Sequence, residues 1–316
     1  MKKGYLYLIG FSISSLLAVF IMALAYSNQI YIWMLGDVDA LYKDAVDKYE
    51  NRLYEESLEM FEKLAGIDTA VHSQFVAGDI YYRGLAGVVD YQKSFEYFTK
   101  ASDYNNLDAY NNLAVMYLSG HGVEVDSAKA FRHFRYAAIN GNSHAQVGLG
   151  TMYRHGWGTS KNLMAAFDWY RRAAAHGDAD GMNNLGYMYA LGLGTNMNAE
   201  MAMYWYQKAA SLNHAKAQYN IGALYAEGKG CERDLKKCAE WLMKSALQDE
   251  VAAQFNLANM YYLGKGVERD WGQAEKWCRR AVAQGHWNAK KFLFILEHKL
   301  QMTELDSCYS ISPIAE

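Results

Sequence analysis

Apolar and small residues return along this chain at a constant step of 36 positions. Leu113, Leu149, Leu185, Ile221 and Leu257 form one such column, and Tyr81, Tyr117, Tyr153, Tyr189, Tyr225 and Tyr261 form a second. The two columns lie four residues apart, the spacing that puts side chains on one face of a helix. Gly84, Gly120, Gly156, Gly192, Gly228 and Gly264 follow each tyrosine, and Gly122, Gly158, Gly194, Gly230 and Gly266 stand two residues further on. This G-x-G pair predicts a helix end and a tight return. Asp126, Asn162, Asn198, Asp234 and Asp270 come four residues after the second glycine. Asp and Asn are favoured N-caps, so a second helix is predicted to start there.

The second helix carries Trp169, Trp205, Trp241 and Trp277 at the same step, with Tyr97 and His133 in the earlier copies. Phe134, Tyr170 and Tyr206 follow that column and are predicted to begin the inner face. A small column, Ala101, Ala137, Ala173, Ala209, Ser245 and Ala281, lies four residues after the aromatic one and lets helices approach closely. The helix is predicted to stop at Asn105, Gly141, Gly177, Asn213, Asp249 and Gly285, all residue types that tolerate a left-handed backbone. Helix A, glycine turn, helix B and left-handed stop are written six times between about Gln74 and Ala289. A fixed period of this length predicts an all-α, right-handed α/α solenoid of helix-turn-helix repeats.

Composition sharpens that picture. Of 316 residues, 26 are Gly and one is Pro, at position 313, so turns must be made by glycine and helices can run unbroken. The net charge of -3 gives no broad basic footprint for nucleic acid. The nine His and four Cys form no C-x-x-C, H-E-x-x-H or H-x-H spacing, so no metal site is expected. There is no G-x-S-x-G, no P-loop and no carboxylate pair that the repeat brings together, so neither enzyme chemistry nor a cofactor is expected. The G-x-G pairs recur as turns and are not dinucleotide fingerprints.

The N-terminus reads as a separate object, residues 1–36. Lys2 and Lys3 precede a stretch from Gly4 to Gly36 without a charged residue. Tyr5 to Tyr26 is long enough to cross a hydrocarbon core as a helix. Two readings stand: an uncleaved membrane anchor, or a signal peptide cut after Ala25, since Ala23-Leu24-Ala25 fits the small-x-small pattern. The length of the apolar run and the aromatic Tyr31–Leu35 segment favour the anchor. Either way the basic end stays in the cytoplasm and the bulk of the chain lies on the periplasmic or other extracytoplasmic side.

The columns together resemble the Sel-1-like repeat (SLR) family, a relative of the tetratricopeptide repeat. Residues 181 to 213 follow its pattern through Leu185, Gly186, Tyr189, Gly192, Gly194, Asn198, Ala202, Trp205, Tyr206, Ala209 and Ala210. The first copy departs from it, because Gly84-Leu85-Ala86-Gly87 displaces the second glycine. Residues 71–289 are assigned to six such repeats. Residues 37–70 resemble a tetratricopeptide-like helical hairpin, with Tyr54-Glu55-Glu56-Ser57-Leu58 and Phe61 in its second helix. Residues 290–303 read as an amphipathic capping helix, and 304–316 as a disordered tail.

Candidate binding residues are of two kinds. Asn112, Asn184, Asn220 and Asn256 stand before the core Leu or Ile of helix A, with Gly148 interrupting. The resemblance implies that helix A lines a concave groove, where an Asn ladder would hydrogen-bond a bound peptide; the alternative is that these amides satisfy groups between repeats. Arg154, His155, Trp157, Arg171, Arg172 and His176 break the columns within one repeat, and an exposed Trp near Arg is a reasonable hot spot. The Trp column is expected to be scaffold. Cys231 and Cys238 flank one turn and are weighed as a disulfide, while Cys278 falls in the core. The resemblance implies a non-catalytic adaptor that binds a protein or peptide partner at the membrane, in envelope assembly, secretion or signalling. It leaves open an immunity protein that neutralises a toxin, and peptidoglycan or β-lactam binding.

Overall fold

The structure is a computed structural model that describes residues 38–65 and 71–298. The described residues form an all-helical solenoid of fifteen helices without a strand. They divide into two compact units. One holds the described residues up to Ala109 together with His121–Val123, and the other holds Tyr110–Gly120 and the described residues from Glu124. The anchor or signal segment of residues 1–36 and the tail of 304–316 lie outside the described residues. Among the described residues no helix is long and apolar enough to cross a membrane.

In the first unit, α1 (38–50) and α2 (Tyr54–Ala65) are followed by the A and B helices of the first repeat, α3 (Val71–Arg83) and α4 (Tyr91–Asp103). Ala45, Leu58, Phe61, Leu64, Ala77 and Ile80 make the core of α1–α3. The Ser57 hydroxyl donates to the Ala45 carbonyl at 2.8 Å, so the one buried polar side chain between α1 and α2 is satisfied.

Helix α5 (Leu107–Ser119) leads into the second unit, which continues through α6 (Ser127–Ile139), α7 (Ser143–His155), α8 (Leu163–Ala175), α9 (Ala179–Leu191) and α10 (Ala199–Ser211). It goes on through α11 (Ala215–Glu227), α12 (Leu235–Leu247), α13 (Val251–Leu263), α14 (Trp271–Ala283) and α15 (Trp287–His298). Each A helix starts 36 residues after the one before, as do the B helices.

Local chemistry explains these boundaries. At all five expected caps, Asp126, Asn162, Asn198, Asp234 and Asp270, the side chain accepts the backbone N–H three residues on. At all six expected stops φ is positive, from 61° at Asn213 to 99° at Gly141. The residue after each stop closes a six-to-one hydrogen bond onto the small column: Asn142 N–H donates to Ala137, Asp178 to Ala173 and His214 to Ala209, at 3.0–3.2 Å. Asn142, Asp178 and His214 then cap the next A helix with their own side chains. One residue therefore ends helix B and begins helix A, which is why the connection is only three residues long.

In the G-x-G turns after the first repeat the two glycines do different jobs, as at positions 192 and 194. Gly192 has φ +67° and an added Cβ would meet only Met197, at 3.1 Å from its nitrogen. Gly194 has φ +66°, and an added Cβ would fall inside the van der Waals shell of the Leu163 carbonyl oxygen at the start of the preceding B helix. The first glycine turns the chain; the second lets that turn rest on the backbone of the repeat before.

The core of the second unit lies between successive helices. Phe134, Tyr170, Tyr206 and Leu242, one residue after the aromatic column, are 0–4 % exposed. Trp277 is buried as expected of scaffold, whereas Trp169, Trp205 and Trp241 are only half-buried. Arg172 covers the outer face of Trp169 at 4.4 Å and Lys244 that of Trp241 at 4.1 Å. Cys231 and Cys238 are both free, so the disulfide weighed from their spacing is not made. The Cys238 thiol points into the core, 3.8 Å from the Met260 sulfur, while that of Cys231 turns to the Leu224 and Lys229 carbonyls. Burial pushes the Cys238 and Cys278 thiols up to about 12, which leaves them inert.

Candidate protein-binding surface

The columns that the fold requires leave few side chains free to define a surface, and the sequence-predicted residues fall into three groups. Asn220 and Asn256 are fully buried. The Asn220 amide donates to Asn183 at 3.1 Å and that of Asn256 to the Tyr219 hydroxyl at 3.2 Å. Helices α11 and α13 are buried around most of their circumference, from Ala217 to Leu224 and from Ala253 to Met260. The amides there tie one A helix to the next, which is the alternative weighed for this ladder. Asn112 and Asn184 are half-buried, and Asn112 accepts from Asn111 at 3.2 Å.

The second group sits at the end of α7. Gly156 caps that helix in a left-handed conformation, φ +79°, and swings Trp157 out of the helix line to 45 % exposure. The Trp157 indole stacks on the His155 imidazole with centroids 4.6 Å apart and planes 17° from parallel. Arg154 donates from Nη2 to His155 Nε2 at 2.9 Å, and its guanidinium lies 5.1 Å from the centre of the Tyr187 ring. Tyr187 is 6 % exposed and belongs to the next A helix, so the stack is braced by a neighbouring repeat. Leu191, one repeat step after His155, is 48 % exposed and extends the same edge.

The third group lies at the other end of the hairpin. His176 Nδ1 donates to Gln146 Oε1, at 3.1 Å, near the start of α7. Gln146 and Arg154 are eight residues apart on one helix, so roughly 12 Å separates the two ends. Arg172 is spent on Trp169, and Arg171 pairs with Asp168 at 3.0 Å on the open surface. The six residues that looked like one cluster in the sequence are therefore two. Arg154, His155 and Trp157 come together, and Arg171, Arg172 and His176 do not join them. Helices A and B run antiparallel, so residues that follow a G-x-G turn return to the far end.

Sequence reasoning missed Tyr187 and Leu191. The signal for Tyr187 was its column, which elsewhere holds Val115, Thr151, Ala223 and Asn259. Among the described residues no three His, Cys, Asp or Glu side chains converge as metal ligands. The Trp157 stack offers contact area and an aromatic anchor.

The Sel1 repeat model matches six consecutive segments, 71–105, 107–142, 143–178, 179–214, 215–250 and 251–286. A Sel1 repeat protein from Oxalobacter formigenes is 30 % identical, with 77 % of this chain and 99 % of that one covered and a TM-score of 0.71. A protective antigen of uropathogenic Escherichia coli strains, displaying an SLR fold, is 31 % identical over 78 % of this chain, with a TM-score of 0.64. The match covers 53 % of that antigen, so the present chain spans about half its length. An immunity protein from Pseudomonas aeruginosa is 21 % identical, with 75 % of this chain and 89 % of that one covered, but its TM-score of 0.44 is too slight a likeness to carry an argument. Among curated proteins none matches this chain. Six matched repeats over most of the described residues, in the register the helices follow, make this chain a member of the Sel1 repeat family.

Proposed function

We propose that this Sel1 array is a non-catalytic interaction scaffold that takes a protein partner along the edge formed by His155, Trp157 and Leu191. The observation that carries the reading is the Trp157 stack. A large aromatic is held 45 % exposed, and its orientation is fixed by His155 and, through Arg154, by Tyr187. A rigid, half-exposed Trp beside a cation loses little entropy when it is covered, which is what makes such residues interface hot spots. The half-buried Asn112 and Asn184 remain open to a partner's backbone, whereas Asn220 and Asn256 serve the fold. Arg171, Arg172 and His176 belong to the opposite end and are not part of this surface. The charge-free stretch from Gly4 to Gly36 supports a membrane anchor with the array on the extracytoplasmic side, in an adaptor role in envelope assembly, secretion or signalling.

The test is a photo-crosslinking amino acid placed at Leu191 in the living cell, with the same residue at Arg171 as the control. A discrete adduct with one protein from position 191, absent from position 171, supports the surface. Equal adducts from both positions, or none from 191, would sink it.

A further inference from the structure

The outer face of the B helices carries more positive charge than the caps, stops and core columns require. In repeats two to six, from the middle of helix B to the residue before its stop (132–140, 168–176, 204–212, 240–248 and 276–284), stand nine Lys or Arg and two acidic residues, Asp168 and Glu240. The whole chain has a net charge of -3, so this excess is local. The helix dipole favours a cation in the last turn, and Arg172, Lys208, Lys244 and Arg280 fit that rule. The other five stand earlier. Helix α6 has no basic residue in its last turn, although it carries Arg132 and Arg135. All of these helices belong to the second unit.

Several of the cations are held in place without being neutralised. Arg172 lies 4.4 Å from the centre of the Trp169 ring, Lys208 5.6 Å from that of Tyr204 and Lys244 4.1 Å from that of Trp241. A ring fixes the position of a cation and leaves its charge whole. Arg171 is paired with Asp168, Arg279 with Glu275 and Glu297, and Arg280 with Asp249. Arg132, Arg135, Arg172, Lys208 and Lys244 have no carboxylate partner among the described residues. Their field reaches the nearest titratable ring. Burial pushes the pKa of His133 down, and the charges of Arg132 and Lys129 push it further. Large apolar side chains lie along the same ridge. Leu212 comes four residues after Lys208, Leu247 three after Lys244, and Ile139 stands in the column of Leu247; all three are 54–60 % exposed.

We propose that this ridge, from Arg132 to Lys244, is a second docking surface, and that it takes an extended acidic protein segment with apolar residues between its carboxylates. Charge complementarity selects the occupant. A nucleic acid strand presents a phosphate about every 3.4 Å, whereas the ridge offers one or two unpaired cations per repeat and carries Asp168 and Glu240 among them. A lipid surface is met by indoles that project into the headgroups, whereas here Arg172 and Lys244 cover Trp169 and Trp241. A peptide supplies both the sparse carboxylates and the apolar side chains that Ile139, Leu212 and Leu247 can cover. Cations already fixed on rings lose little freedom when a carboxylate arrives. The ridge lies on the C-terminal halves of the B helices, at the other end of the hairpin from Trp157, so it does not depend on the edge proposed above and either can fail alone.

The test is a fluorescence-anisotropy titration of the full chain with a labelled peptide of alternating Glu and Leu, roughly fifteen residues long so that it can pass over several helices. A peptide with Gln in place of Glu is the control. The expected result is binding of the acidic peptide alone, weakened by added salt. Arg172→Gln with Lys208→Gln and Lys244→Gln should weaken it about tenfold or more, and Arg132→Gln with Arg135→Gln several-fold. Lys161→Gln with Lys229→Gln and Lys265→Gln, which removes as many cations from the turn edge, should leave it unchanged, as should Trp157→Ala. No binding of the acidic peptide, or equal losses in the ridge and turn-edge triple variants, overturns the proposal. So does tighter, ridge-dependent binding of phosphatidylglycerol vesicles or of a single-stranded oligonucleotide, in favour of a lipid surface or a nucleic acid.

Discussion

Replacing Gly192 and Gly194 one at a time should give unequal losses of stability, although both are turn glycines with nearly the same φ. Gly192→Ala forces an L-residue into the left-handed region, at about 1–2 kcal/mol, and meets nothing closer than the Met197 backbone at 3.1 Å. Gly194→Ala incurs the same backbone cost and also drives Cβ into the Leu163 carbonyl oxygen. That oxygen belongs to the first residue of the preceding B helix and cannot rotate away, so relief requires two repeats to part. Overpacking of this kind adds about 1–3 kcal/mol, for a total of about 2–5 kcal/mol. Asparagine separates the two effects. Asn105 and Asn213 already sit at φ 63° and 61° in this chain, so Gly192→Asn should cost less than about 1 kcal/mol, while Gly194→Asn should cost as much as the alanine. Urea unfolding followed by circular dichroism would read the difference, since about 2–3 kcal/mol moves a midpoint by roughly 1 M. Equal midpoints for Gly192→Asn and Gly194→Asn would refute the claim that the second glycine is a contact between repeats.

Four other outcomes follow from single side chains. Asn162→Ala removes the bond from its side chain to the Ala165 N–H and should lower stability by about 1 kcal/mol, measured by the same urea titration. Tyr206 buries a hydroxyl with no hydrogen-bond partner among the described residues, so Tyr206→Phe should be neutral or stabilising by up to about 1 kcal/mol; a lower melting temperature would contradict that. Burial holds the pKa of His286 and of His133 below the ordinary 6.5, so the folded state prefers the neutral rings. Their contribution is full above about pH 6.5 and is lost as pH falls through the lowered values, so melting temperature should fall on acidification, less steeply in His286→Asn. Trp157→Ala should leave stability within about 0.5 kcal/mol of the parent while weakening partner binding by about 2 kcal/mol, checked by calorimetry with the partner captured at position 191.

Most of the fold was legible because each column carries a residue type with one physical job. Asp and Asn at the caps, Gly, Asn and Asp at the left-handed stops, and a large apolar residue such as Tyr206 beside the Trp column all do in the structure what their chemistry implies. What the sequence hid was partner identity across space. Gly194 is legible as a turn, but its contact with Leu163 belongs to another repeat. Asn220 and Asn256 are polar and were weighed as a ligand surface, yet neighbouring A helices close over them. Arg171 and Trp157 are near in sequence and at opposite ends of the hairpin. Tyr187 was visible only as a break in its column, and Leu191 gave no sign at all, because an exposed leucine is unremarkable in isolation.

The measurement that bears most directly on the scaffold reading is crosslinked recovery of the chain from the cells that make it, in wild type, Trp157→Ala and Arg171→Ala. The account predicts one dominant protein partner with wild type and with Arg171→Ala, lost with Trp157→Ala. A partner retained by Trp157→Ala, or lost only with Arg171→Ala, would place the binding surface elsewhere on the array and contradict the account.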